Sequence, residues 1–305
     1  MPYPADENVV KTSKELVSTL KGAFHTPPGF RPAHAKGILL NGTFTPTPLA
    51  AQLSSAPHFS SPTPILARFS NSTGLPHIPD TDPNANPRGL AVRFILGERK
   101  HTDIIAHSTP FFPTRTGAEF LQLLQAIGGG TAGDFLASHP AAKAFVEAPK
   151  PFPVGFETQQ YFGVNAFKLV DSADKGTFVR YQITPTAVKV LDTVDLEGKD
   201  ADFLFEALKD TLAKGPISLK LEAQVAEEGD VTDDATVHWP SSRAIVELGT
   251  LELKSVEEDG EPQPEQKRII FDPIPRVQGI EPSADPLLDM RASVYLASGL
   301  ERRAA

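Results

Sequence analysis

Apolar and small residues recur at helical spacing near the N-terminus: Val9, Val10, Ser13, Leu16 and Leu20 fall close to one face. The pattern stops at Gly22, and Pro27 and Pro28 block any continuation. The chain therefore opens on one amphipathic helix and an arm reaching about residue 30. From Arg31 to about Phe112 the rhythm changes to short runs broken by Pro, Asn, Ser and Gly clusters. Leu90, Val92, Phe94 and Leu96 keep period two, with Arg93 on the opposite face, as in a half-buried strand. Gly117 to Ile127 reads as a helix with Leu121 and Leu124 apolar, stopped by Gly128, Gly129 and Gly130. Thr177 to Ile183 alternates again, with Val179, Tyr181 and Ile183 facing one way. Leu204, Phe205, Leu208 and Leu212 predict a helix ending at Gly215, and Leu219 to Val225 alternates against Lys220, Glu222 and Gln224. Ala244 to Leu253 predicts another strand, and Glu257 to Gln266 a charged, solvated loop. Asp285 followed by Pro286 is an N-cap with proline in the first helical position, and Gly299 lies near the end of that last helix. Many strands interspersed with a few helices, without an internal repeat or a long linker, predict an α+β fold over residues 1–305 as one domain, with a closed barrel as one arrangement.

Composition narrows the chemistry more than the fold. The 305 residues are 40% hydrophobic and 22% charged, enough for a packed core. The net charge of -9 offers no basic footprint for nucleic acid or anionic lipid. No apolar run approaches the ~20 residues of a membrane span. The opening Met-Pro-Tyr-Pro-Ala-Asp-Glu lacks a basic and apolar signal segment, so the expectation is a cytoplasmic protein. The 29 prolines, about twice ordinary usage, fall largely in irregular segments and read as stiffened loops. There is no cysteine, and the methionines are Met1 and Met290. That excludes disulfides, zinc–thiolate sites, iron–sulfur clusters, thiolate-ligated haem, covalent c-type haem and thiol peroxidases. The glycine triplet is no phosphate loop, because no Gly-Lys-Ser/Thr follows it.

One sulfur-free route to redox chemistry is haem held by a tyrosine phenolate. A phenol titrates at about pH 10, so a cation must help it ionise. Arg291 and Tyr295 stand four apart in the last predicted helix and share a face. By spacing alone they read equally as a packed tyrosine beside a solvated arginine. His25, His58, His77, His101, His139 and His238 show no metal-ligand spacing, and His77 sits in a Pro-rich loop expected to face solvent.

The segment Arg31-Pro32-Ala33-His34-Ala35-Lys36-Gly37 resembles the distal-histidine motif of the haem catalases. The resemblance continues in order through Arg68-Phe69-Ser70, Asn86-Pro87-Arg88-Gly89-Leu90-Ala91-Val92-Arg93-Phe94 and Ser108-Thr109-Pro110-Phe111-Phe112. It reaches Phe271-Asp272-Pro273, Gly279-Ile280, Ser283, then Arg291 and Tyr295. Tyr161-Phe162-Gly163-Val164-Asn165-Ala166-Phe167 is similar to a stretch of the small catalase-related peroxidases.

The resemblance implies a catalase-like antiparallel β-barrel with flanking helices, and haem b (iron protoporphyrin IX) as cofactor. It implies His34 as distal acid/base, Ser70 as its hydrogen-bond partner, Tyr295 as proximal iron ligand and Arg291 as partner of the phenolate. Arg31, Arg68 and Arg302 match propionate-binding arginines. Phe120, ten residues after Pro110, matches a phenylalanine on the porphyrin, or else is a helix core residue facing Leu124. One departure stands out: His107 occupies the place of a distal asparagine, either as a second proton shuttle or turned away. Ala33 replaces a usual valine, consistent with larger peroxides. The implied activity is peroxidase reduction of organic hydroperoxides by a small electron donor. A hydroperoxide lyase or isomerase like the allene oxide synthases, a true catalase, and a non-catalytic haem or apolar-ligand barrel are the alternatives. A homo-oligomer is expected from related proteins.

Overall fold

The computed structural model describes residues 2–257 and 264–305. Ten strands run β1 (Gly37–Pro46), β2 (Thr63–Ser70), β3 (Gly89–Gly97), β4 (Lys100–His107), β5 (Tyr161–Phe162), β6 (Phe167–Val170), β7 (Gly176–Pro185), β8 (Ile217–Val225), β9 (Ile245–Val256) and β10 (Ile280–Pro282). The helices are α1 (Glu7–Phe24), α2 (Pro48–Leu53), α3 (Gly117–Gly128), α4 (Ala132–Ser138), α5 (Pro140–Glu147), α6 (Thr193–Glu197), α7 (Phe203–Lys214), α8 (Pro264–Arg268) and α9 (Pro286–Ala304).

Strand order is β10-β6-β7-β5-β4-β3-β2-β1-β9-β8, and β7 also pairs with β8. That last pairing closes an antiparallel barrel of eight strands, with β6 and β10 as an extension along β7. Closure removes the exposed edges that an open sheet would leave. Alternation sorts each strand's residues: Ile65, Ala67 and Phe69 of β2 and Leu90, Val92 and Phe94 of β3 belong to the buried interior. Phe69 stacks on Phe156 there with ring centroids 5.1 Å apart.

Three of the longer helices begin on side-chain caps, of which the sequence reading named the one at Asp285. Asp6 accepts a hydrogen bond from the Asn8 N–H, and Thr116 and Glu119 form a reciprocal capping box on α3. Asp285 accepts from the Leu287 N–H at the start of α9. The helix α1 continues two residues past Gly22 and ends where His25 turns left-handed. Gly299 lies inside α9, not at its end, where Ile270 packs against its bare Cα.

Two further expectations need correcting. Gln224, assigned to the polar face of β8, is buried and donates to the Pro240 carbonyl. The segment read as a solvated loop carries the short helix α8, and Gln266 within it is buried; residues 258–263 lie outside the described residues. No helix of the described residues is long and apolar enough to cross a membrane.

His58 is buried among Phe44, Phe59 and Phe94, and among the described residues neither ring nitrogen has a hydrogen-bond partner. Burial pushes its pKa down to about 3. The unfolded ring gains a proton below its ordinary value while the folded ring stays neutral, so stability falls as pH drops through that window. His58→Leu is therefore expected to gain about 2 kcal/mol over the wild type at about pH 5, and much less at neutral pH. Urea unfolding at both pH values checks this. His34 and His107, also held neutral by burial, contribute equally to both proteins. Identical acid-side losses in the two proteins would remove His58 from the account.

Candidate active site

The outward faces of β2, β3 and β4 form one wall of a cavity of about 390 Å³, and α1, α3 and α9 form the other. The register sets the wall. Gly37, Ser70, Gly89 and His107 are successive partners across β1, β2, β3 and β4, so they lie in one row. Arg68, Ala91 and Ile105 form the next outward row. The two glycines make room for what lies above them. A Cβ on Gly89 would meet His34 Nδ1 at 2.9 Å and Ser70 Oγ at 2.7 Å, and one on Gly37 would run into the Arg68 guanidinium.

His34 lies just outside the barrel with a left-handed backbone (φ 57°), which brings its ring over Gly89. Its Nδ1 shares a hydrogen bond of 3.1 Å with Ser70 Oγ. Burial first, then the Arg68 charge, pull its pKa down to about 4, so the ring is neutral at neutral pH. His107 lies one strand beyond Gly89 and lines the same cavity. Its Nδ1 accepts from the Thr109 backbone N–H at 3.4 Å and lies 2.7 Å from Thr109 Oγ1. Burial, then Arg291 and His34, push its pKa down to about 3.

On the opposite wall, α9 presents Leu287, Met290, Arg291, Val294, Tyr295, Ser298 and Arg302 to the cavity at the three- and four-residue steps of one helix face. Arg291 donates from Nε and Nη2 to Tyr295 Oη, each at 3.2 Å. Its Nη1 donates to Asn165 Oδ1, and Asn165 Nδ2 donates to Asp285 at 2.8 Å. A buried relay thus runs from the N-cap of α9 to the tyrosine oxygen.

Three more guanidiniums gather around the cavity. Arg31 donates to the Ile269 carbonyl at 3.2 Å, and Arg302 donates to the same carbonyl at 3.0 Å and to Ser298 Oγ at 2.7 Å. Arg68 donates to Gln266 Oε1 at 2.7 Å and to the Ala35 carbonyl. Among the described residues none of the three meets a carboxylate. Burial and their mutual repulsion lower the pKa of Arg31, and burial then Arg302 lower that of Arg68 to about 9. Burial and Arg303 bring Arg302 to about 10.

Comparison with known proteins decides the family. The Catalase family model matches residues 28–305. The chain belongs to the catalase family. It is 35% identical to a catalase-related peroxidase of Mycolicibacterium paratuberculosis over 94% of this chain and 93% of that one. It is 32% identical to one of Synechococcus elongatus over 95% of this chain and 88% of the relative. Among solved structures, a fungal catalase and catalase A of Saccharomyces cerevisiae each superpose with a TM-score of 0.78, at 21% and 22% identity. They cover 94% of this chain, which spans 62% and 64% of their lengths.

Members of the catalase family carry haem, and the cavity fits that group on its own chemistry. Buried guanidiniums that meet no carboxylate among the described residues call for an anionic partner to offset their desolvation, and a haem supplies two carboxylates. A tyrosine oxygen that accepts two guanidinium N–H bonds has the donor set that suits a ligand for haem iron. Phe120 lines the cavity, packs on Phe112 with centroids 5.1 Å apart and joins the Leu124 cluster expected of a helix core residue.

All nine residues singled out from the sequence, Arg31, His34, Arg68, Ser70, His107, Phe120, Arg291, Tyr295 and Arg302, line this one cavity. Sequence reasoning missed three that hold them. Asn165 and Asp285 anchor Arg291, and Gln266 holds Arg68 while donating to the Gly37 carbonyl at 3.0 Å. The first two stood in segments already noted. Gln266 gave no signal.

Proposed function

We propose that the chain is a haem b peroxidase that reduces organic hydroperoxides with electrons from a small donor. The observation that carries this reading is the facing of Tyr295–Arg291 and His34 across one cavity rimmed by three guanidiniums that meet no carboxylate among the described residues. When bound, haem would supply a redox-active iron for the two-electron reduction of the peroxide O–O bond. Tyr295 holds the iron through its phenolate oxygen, and Arg291 stabilises that charge. Arg31, Arg68 and Arg302 bind the propionates as fully charged, fork-shaped partners. His34 takes the peroxide proton at Nε2 and returns it to the departing oxygen, while Ser70 fixes the ring through Nδ1. The products are an alcohol and water, the donor supplying two electrons and solvent two protons.

The apolar lining supports organic hydroperoxides as substrates. Phe112 and Phe145, which lie outside the α1, α3 and α9 wall, offer apolar surface to an alkyl group, and Ala33 leaves room beside His34. The test is a panel on haem-loaded protein. Alkyl hydroperoxide is expected to drive oxidation of a phenolic donor. Oxygen release from hydrogen peroxide without donor turnover identifies a catalase instead. Loss of a lipid hydroperoxide without any donor identifies a lyase or isomerase. A chain that takes up no haem overturns the whole reading.

A further inference from the structure

The sequence left His107 with two roles, a second proton shuttle or a ring turned out of the site. The hydrogen bonds support neither. The ring lines the cavity, one strand away from the glycine on which His34 rests. Strands are about 4.8 Å apart, so the two imidazoles are neighbours over the same wall. The Thr109 backbone N–H is aimed at His107 Nδ1. A backbone amide can only donate, so Nδ1 must present its lone pair and the ring proton must sit on Nε2. Thr109 Oγ1, at 2.7 Å from the same nitrogen, is then also a donor. Nε2 has no protein partner among the described residues and is not sealed off from the cavity.

We propose that His107 Nε2–H is a fixed hydrogen-bond donor to the oxygen of a hydroperoxide, or to a small anion in its place, beside His34. The inference rests on the peroxidase reading above. The cavity then presents two imidazoles of opposite character: His34 accepts a proton and His107 only donates a hydrogen bond. A proton added to His107 would have to go on Nδ1, against the Thr109 N–H, so the ring cannot shuttle one. Burial acts in the same direction. The asparagine that the family resemblance places here would offer the same N–H through its carboxamide, together with a carbonyl acceptor that imidazole lacks. This chain therefore keeps the donor and discards the acceptor, which favours ligands that bring lone pairs and no proton to that side of the site.

Two measurements test it. In the haem-free protein, nitrogen NMR of labelled histidine is expected to show His107 neutral, with the proton on Nε2, throughout the neutral range. A proton on Nδ1, or a charged ring, overturns the proposal. In haem-loaded protein, fluoride serves as a compact acceptor. His107→Asn is expected to bind it within about threefold of the wild type, and His107→Leu about tenfold more weakly. The charge-transfer band of the fluoride complex is expected to shift in the leucine variant and stay in the asparagine variant. Equal affinity and an unshifted band in His107→Leu overturn the donor role while leaving the peroxidase reading intact. Failure of the wild type to load haem overturns that reading instead, and the tautomer measurement still decides the state of the ring.

Discussion

His34→Ala is expected to keep its haem and lose peroxide reactivity by a factor of about a hundred to ten thousand, the range of a positioned acid/base. The residue makes no hydrogen bond to α9 among the described residues: its neighbours are Ser70 Oγ, the bare Cα of Gly89 and the Asn71 backbone. The Soret band should therefore survive the substitution while the rate of reaction with alkyl hydroperoxide collapses. The pH profile of the wild type follows from the same environment. Burial and the Arg68 charge depress the imidazole to about 4, so the base form persists through neutral pH, and reactivity falls only as pH approaches that value. Stopped-flow mixing of haem-loaded protein with hydroperoxide measures both. An alanine variant that reacts at the wild-type rate would falsify the role given to His34.

Tyr295→Phe has the opposite signature. It removes the oxygen proposed to hold iron and leaves Arg291 hydrogen-bonded to Asn165. Haem uptake is expected to weaken by more than about a hundredfold, beyond what loss of an outer partner costs a metal site. Any haem retained should lose the spectrum of a tyrosinate complex. Arg291→Met tests the support separately: it keeps the ligand and removes the cation, and a loss of about ten- to a hundredfold in uptake is expected. Titration of apo protein with haem, followed in the Soret region, orders the three proteins. If the phenylalanine variant binds haem as the wild type does, with an unchanged spectrum, the ligand lies elsewhere.

The pair of substitutions separates the two walls of the cavity. One wall is sheet and the other helix, and each was built by a different regularity. The α9 face depends on i, i+3 and i+4 steps, which sequence spacing exposes directly: Arg291 and Tyr295 were recognisable as one face from the chain alone. The sheet wall depends on register. Nothing in the spacing of Ser70 and Gly89 says that they are cross-strand partners, because 18 residues separate β2 from β3, and the place of His107 beside Gly89 hangs on the register of the β3–β4 hairpin, in which a one-residue slip would turn its side chain to the other face.

Burial of polar groups followed the same division. The charged, proline-bearing stretch after β9 reads as solvated, yet Gln266 is drawn inside because Arg68 Nε and the Gly37 carbonyl both need a partner there. Composition cannot reveal such a need, since it arises only when β1, β2 and α8 meet. His58 is the converse case, a lone histidine without motif context that the aromatic packing of the barrel interior holds neutral.

The sequence by itself determined the start of the last helix, the alternation of the strands and the family, because caps, periodicity and ordered motifs are local or linear properties. It also removed sulfur ligands and pointed to a tyrosine–arginine pair. Only the tertiary structure decided that the barrel closes through β7 and β8, that Gly89 yields its place to His34, and that Thr109 fixes the proton of His107. Those are properties of groups brought together across the chain, where sterics and hydrogen-bond direction act over a few ångströms and sequence separation has no bearing.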